Sequence, residues 1–206
     1  MTAINRLFTP ALNGERLDLA LRSLAIRLEE NRAEAFELVV CGGTALILTG
    51  LIQRTTQDVD VVALMRQGTL CSPEPLPPAL LLSVREVAED LNLPSDWLNN
   101  HPSHGEGGLF QMGLPKGFAE RLTRHTYGPL LTVHLIHRID QIHFKLYASV
   151  DRGGYHITDL IALKPTPDEI EAAARWSMTH DVSEGFAVVL KRLLRSIGYD
   201  TVAERL

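Results

Sequence analysis

Cys41-Gly42-Gly43-Thr44-Ala45-Leu46, followed by Arg54-Thr55-Thr56-Gln57-Asp58-Val59-Asp60-Val61-Val62, is the stretch whose reading decides the fold. Asp58 and Asp60 lie one residue apart in a run of β-branched residues. On a strand, positions i and i+2 point to the same face. Two carboxylates then project side by side from a sheet, close enough to share divalent cations. Mg²⁺ ions held by oxygen ligands serve in-line phosphoryl or nucleotidyl transfer. Either feature alone has an ordinary structural reading, since glycine pairs end strands and Asp-x-Asp at a strand edge is often just solvated. Their order, with Arg54-Thr55-Thr56 between them, carries the argument.

Working outward, Phe36-Glu37-Leu38-Val39-Val40 reads as a buried strand and Gly42-Gly43 as a tight turn. Thr44 to Leu51 reads as a short helix, and Gln57 to Ala63 as the next strand. Neither glycine has a Cβ, so a phosphate chain can approach the backbone closely. The first amides of the following helix are unpaired and lie at its positive end. One unit thus places a triphosphate-binding turn beside a metal-binding carboxylate pair, and the metals neutralise the phosphates that the turn positions.

A glycine pair, a short helix and then Asp-hydrophobic-Asp resembles the signature of the DNA polymerase β-like nucleotidyltransferase superfamily. The spelling GGTAL…RTTQDVD is similar to its bacterial branch of minimal and abortive-infection-type nucleotidyltransferases. The main resemblance covers residues 36–63. A second stretch, His143-Phe144-Lys145-Leu146-Tyr147-Ala148 with Asp159-Leu160-Ile161-Ala162-Leu163, is similar to the later part of those proteins. The resemblance implies metal ligands at Asp58 and Asp60 and phosphate contacts at Gly42, Gly43 and Thr44. It also points to Lys145 as a residue facing the site.

Active members of that superfamily usually add a third carboxylate from a neighbouring strand. Leu130 to Ile136 is the expected strand here, and alternation puts Thr132, His134 and Ile136 on one face, with no Asp or Glu among them. Glu120 and Asp140 lie nearby in sequence. Either His134, Asp140 or Glu120 substitutes, or the third ligand is missing and the chain is a binding fold.

The chain has 206 residues, 45% hydrophobic and 22% charged, with a net charge of -5. That composition is ordinary for a globular protein, with enough length for one sizeable core. A general nucleic-acid binder would usually be basic, so a free nucleotide or a small partner is favoured. The two cysteines, Cys41 and Cys71, have no CxxC partner. They give no zinc framework, and Cys41 reads as a small hydrophobe beside the glycine turn. The eight histidines include no HExxH spacing. The N-terminal stretch is charged and lacks a signal-type apolar run, and no apolar run reaches the roughly 20 residues that span a bilayer. A cytoplasmic protein with no membrane partner is expected.

Along the chain, Leu17 to Asn31 has helical spacing through Leu17, Leu19, Leu21, Leu24, Ala25 and Leu28. Residues 67–78 carry Pro73, Pro75, Pro77 and Pro78 and read as a loop, before a helix over 79–91. Pro94 to Asn100 reads as a capped short turn, and the histidine- and glycine-rich 101–108 as an exposed loop. Residues 115–125 are locally basic through Lys116, Arg121 and Arg124, which reads as a phosphate clamp or a solvated face. Arg138 to Val150 reads as a helix buried through Ile139, Ile142, Leu146 and Val150. Lys145 on it is either a phosphate contact or a snorkelling lysine, and Asp159 either caps or pairs. Thr166, Pro167 and Glu169 form a capping-box pattern that opens two last helices, ending at Gly198.

The sequence therefore predicts an α/β (α+β) fold with a nucleotidyltransferase-type mixed sheet flanked by helices. The core is expected over residues 1–164 and a helical C-terminal tail over 165–206. The expected activity is metal-dependent transfer of a nucleoside monophosphate from an NTP. Asp58 and Asp60 hold Mg²⁺ or Mn²⁺; Gly42, Gly43 and Thr44 hold the triphosphate; Arg54 or Lys145 offsets its charge. The acceptor is a protein hydroxyl, a transfer RNA end or a small molecule. The competing reading is a catalytically degenerate module that binds nucleotide or a protein partner, as in a toxin–antitoxin-like pair.

Overall fold

The computed structural model describes residues 11–206; residues 1–10, which hold part of the charged N-terminal stretch, lie outside the described residues. The protein is of the mixed α/β class, with a six-stranded mixed sheet and, among the described residues, nine α-helices. It divides into two compact units. The first comprises residues up to Met112 together with Arg121–Ile136, and the second Gly113–Glu120 together with His137–Leu206.

The first unit is built on the sheet. Strands β1 (Phe36–Cys41), β2 (Val59–Arg66), β3 (Thr69–Cys71), β4 (Leu98–Asn99), β5 (Thr123–Gly128) and β6 (Leu131–Leu135) run in the order β3-β2-β1-β6-β5, with β4 also paired to β2. β1 is central, antiparallel to β2 and parallel to β6. Five of its six residues are buried, as expected for a strand with neighbours on both edges. Its register with β2 shifts between Val39 and Val40, then sets Cys41 opposite Asp60.

Helix α1 (Gly14–Glu30) starts where the Asn13 side chain accepts from Arg16 N–H at 3.0 Å. Its buried stripe is Leu17, Ala20, Leu21, Leu24, Ala25 and Leu28. Leu19, counted in the stripe from the sequence, is half exposed, because two residues from Leu17 is the opposite side of a helix. α2 (Gly42–Leu48) follows β1 directly. α3 (Pro78–Leu91) has proline at its start and ends at Asn92 in the left-handed region. It packs on α1, with Asn31 Nδ2 donating to Ser83 Oγ at 3.0 Å.

Four expectations need correction here. The strand placed over 57–63 begins at Val59 and runs to Arg66, so Asp58 stands just before it. The 67–78 loop contains β3, joined to β2 through Gln67 and Gly68, both with positive φ, a hairpin geometry. The 94–100 turn ends in β4: Trp97 is fully buried, donates Nε1–H to Val84 O at 2.9 Å, and fixes Leu98–Asn99 beside β2. The 101–108 stretch is not wholly exposed either, since buried Ser103 donates to Val62 O at 2.7 Å.

The second unit is helical. α5 (Arg138–Asp151), α6 (Tyr155–Ala162), α7 (Pro167–His180), α8 (Glu184–Ser196) and α9 (Asp200–Arg205) follow α4 (Leu109–Met112) of the first unit in chain order. Both arms of the capping box at Thr166 and Glu169 are formed. Arg138 ties α5 to the start of α7 through both carboxylate oxygens of Glu169, at 2.7 and 3.0 Å. Phe118, Phe144, Trp176, Tyr147 and Phe186 form its aromatic core. α9 has no counterpart in the sequence reading.

Candidate functional site

The turn from β1 into α2 and the entry to β2 meet directly. Gly42 has φ +67, which an L side chain rarely adopts. A Cβ there would also sit 2.7 Å from Asp60 Oδ2. The Asp60 carboxylate therefore lies against the backbone of Gly42, and only glycine allows both the turn and the approach. At Gly43 a Cβ would meet Thr56 Oγ1 at 2.6 Å and an Arg54 guanidinium nitrogen at 3.1 Å. Arg54 is thus folded over the second glycine, with Nη1 donating to Thr55 O at 2.6 Å.

Thr44 is fully buried, and its hydroxyl donates to Asp58 O at 2.7 Å. The Thr56 hydroxyl reaches the same carbonyl at 3.4 Å. Two hydroxyls thus hold the main chain of Asp58 where the sheet ladder has not yet begun. Gly42, Gly43, Thr44, Arg54, Asp58 and Asp60 accordingly form one neighbourhood in the first unit.

The side chain of Asp58 is half buried, and burial pushes its carboxyl above the ordinary range. The hydrogen bond from Asn99 pulls it back, as do the charges of His101 and Arg54, while Asp96 adds to the upward push. Asn99 Nδ2 lies 3.4 Å from Asp58 Oδ2 and 3.2 Å from Asp96 O, and Asn99 Oδ1 accepts from His101 N–H at 2.9 Å. Asn99 is therefore oriented from three sides. Sequence reasoning missed it, because a two-residue strand has no periodicity to read.

β6 is the strand on which a third carboxylate was expected. β6 pairs with β1 and β5, not with β2. The parallel neighbour of β2 at the acidic pair is β4, which sets Asn99 opposite Asp60. A neutral amide thus stands at the position beside the pair. His134 Nε2 lies 2.7 Å from Glu37 Oε2. Glu120 is exposed, and Asp140 is fully buried in the first turn of α5. Among the described residues, no group of three or more His, Cys, Asp or Glu is arranged to hold a metal ion.

Lys145 lies in the second unit, where its charge is already committed. It is buried, and Nζ lies 2.7 Å from Asp159 Oδ2. It is therefore not a snorkelling surface lysine, and Asp159 takes the pairing role among its expected alternatives. Cys41 is buried at the end of β1.

Residues 19–100 match the family described as nucleotidyltransferase of unknown function (DUF6036). The matched stretch spans α1 to β4 and so holds the glycine turn, both aspartates and Asn99. The similarity, over less than half of the chain, is to a family described as nucleotidyltransferases. No curated protein and no solved structure matches the chain. No described helix is long and apolar enough to cross a membrane.

Proposed function

We propose that this protein is a metal-dependent nucleotidyltransferase of the DNA polymerase β-like superfamily, in its bacterial minimal or abortive-infection-type branch, acting from the cytoplasm. It moves a nucleoside monophosphate from an NTP to a hydroxyl acceptor. The observation that carries this reading is the contact of the Asp60 carboxylate with the Gly42 backbone, which joins the carboxylate pair to the turn read as a phosphate cradle. The family match over residues 19–100 supports it.

The donor set fits Mg²⁺ or Mn²⁺. Asp58 and Asp60 offer hard oxygen ligands, and Mg²⁺ is commonly held by one or two carboxylates, with substrate phosphates completing the shell. The raised carboxyl of Asp58 fits as well, because burial charges a penalty that a nearby cation relieves. When bound, the cation supplies charge neutralisation at the phosphates and a more acidic acceptor hydroxyl. Gly42 and Gly43 let the phosphate chain approach the main chain. Arg54 lies over Gly43, where its guanidinium can offset phosphate charge. Thr44 and Thr56 hold the Asp58 main chain, and Asn99 orients its carboxylate. Lys145 is assigned to its ion pair with Asp159; a phosphate contact would require breaking that pair.

A second reading has one specific observation in its favour. Asn99 stands where a third carboxylate would flank the pair, which suits a degenerate module that binds nucleotide or a protein partner in a toxin–antitoxin-like arrangement. Incubation with each labelled NTP and Mg²⁺, with RNA, protein and small hydroxyl acceptors supplied, decides between them. Label transfer that is lost in Asp58→Asn supports the enzyme. Nucleotide binding without transfer to any acceptor supports the module.

A further inference from the structure

β2 separates two features. On one edge it pairs with β1, whose end leads into the Gly42-Gly43 turn against Asp60. On the other edge it pairs with β4, and there a cleft of about 340 Å³ opens. Pro75, Leu76, Leu81 and Leu98 give the cleft apolar walls. Asn99 and Asp96 also line it, and both act on the Asp58 carboxylate: Asn99 through its amide, Asp96 through its charge. The cleft and the acidic pair thus share a wall.

An in-line displacement puts the attacking and leaving oxygens on opposite sides of the phosphorus. With the phosphate chain at the glycine turn on the β1 edge, an acceptor on the β4 edge would stand across the acidic pair from it. Resting on the nucleotidyl-transfer reading, we propose that this cleft is the acceptor subsite, and that it takes a small hydroxyl compound with an apolar body and a neutral or positive charge. The acceptor oxygen bonds to the α-phosphorus as the bond to pyrophosphate breaks, pyrophosphate leaves, and the hydroxyl proton passes to solvent.

The charge preference follows from the lining. Glu74 and Asp96 bring two carboxylates, and the described lining contains no lysine or arginine. Glu74 is engaged by His104 Nδ1 at 2.6 Å and by Gly105 N–H at 2.7 Å, while Asp96 sits exposed at the rim. An RNA end, with a phosphate at every nucleotide, meets repulsion here rather than the basic surface it needs.

Tyramine and 4-hydroxyphenylacetate test this, because they share a phenol hydroxyl and ring and differ in the sign of their charge. In amide NMR titrations of the full chain, tyramine shifts Leu81, Asn99 and Asn100 saturably. The anion binds about tenfold more weakly or worse, and the RNA trinucleotide CCA does not shift these amides. Leu81→Trp, which fills the cleft from a partly exposed position, removes the tyramine response while the rest of the spectrum is kept. Equal binding of the two phenols, a cleft response to CCA, or no response to tyramine overturns the proposal. The same samples titrated with Mg²⁺ and each NTP keep the two ideas apart. A response at Gly42 and Gly43 without one at the cleft sinks only the acceptor assignment. A cleft response with no NTP response at the turn sinks the transfer reading and leaves the cleft as a ligand site.

Discussion

Asp58 and Asp159 are both aspartates drawn out of water, and the fold treats them in opposite ways. Asp159 is almost fully buried and meets the Lys145 ammonium at 2.7 Å. Asp58 is half buried and meets the neutral amide of Asn99 at 3.4 Å. Burial then leaves its carboxyl above the ordinary range despite the more distant charges of His101 and Arg54. A buried charge with a dedicated cation in its own unit holds helices together. A half-buried carboxylate that keeps part of its burial penalty is one that a cation arriving with substrate can stabilise. The contrast supports reading Asp159 as structure and Asp58 as site.

The largest expected effect is on the structural side. Removing one partner of a buried ion pair strands the other, at a cost of about 3–5 kcal/mol. Asp159→Ala is expected to lower stability to urea by that order. Lys145→Met with Asp159→Leu, which strands no charge, should recover much of the loss. If Asp159→Ala unfolds at the wild-type urea concentration, the pair is not structural and the contrast with Asp58 collapses.

Next comes the site. Asp58→Asn with Asp60→Asn keeps shape and removes the charge that a hard cation needs. The double variant is expected to fold like the wild type and to lose the gain in NTP affinity that Mg²⁺ or Mn²⁺ gives, a loss of about tenfold or more. Calorimetry with and without Mg²⁺ reads this directly. The same metal-linked gain in both proteins would remove the two aspartates from the site.

How much of this was legible follows from the length of each signal. The class of the fold was, because β1 is a strand apolar except at Glu37 and α1 a multi-turn amphipathic helix. The capping box was, because Thr166, Pro167 and Glu169 each have one dominant use at a helix start. The closeness of the glycine turn to the acidic pair was legible from order alone. β4 was not: Leu98 and Asn99 are too few for a period, and their place depends on Trp97 reaching Val84 across α3. Asn99 was therefore invisible as a partner of Asp58, and β6, where a third carboxylate was expected, pairs with β1. The Lys145–Asp159 pair was half legible, since both residues drew notice but only burial decides between snorkelling and pairing.

Asn99→Asp sharpens the comparison at that missing position. It places a carboxylate opposite Asp60 and removes the donor to Asp58. Like charges that close are unfavourable without a counterion. The metal-free variant is expected to be less stable by about 1 kcal/mol. Mg²⁺ should restore more stability to it than to the wild type, through tighter cation binding. Thermal melts with and without Mg²⁺ show both. A variant that is destabilised and indifferent to Mg²⁺ would mean that Asn99 does not border a cation site.

The smallest effect concerns pH, and its sign separates Asp58 from Glu169. Arg138 bonds Glu169 and holds its carboxyl below the ordinary value of 4.5, against a smaller opposing push from burial. The stability this contributes is present above 4.5 and is lost as pH falls through the lowered value. Asp58 runs the other way. Its raised carboxyl means the native state binds the proton more tightly than the unfolded chain, so stability falls as pH rises from about 3.8 through the raised value. Without added metal, Asp58→Asn should therefore gain on the wild type as pH climbs through that window and stay level above it. Glu169→Gln, which keeps the capping-box shape, should lose ground on the wild type as pH climbs out of the acid range. Urea unfolding from pH 3 to pH 7 measures both differences. Two curves that slope the same way would show that Asp58 is held ionised by the fold itself, and the burial argument for a cation there would fail.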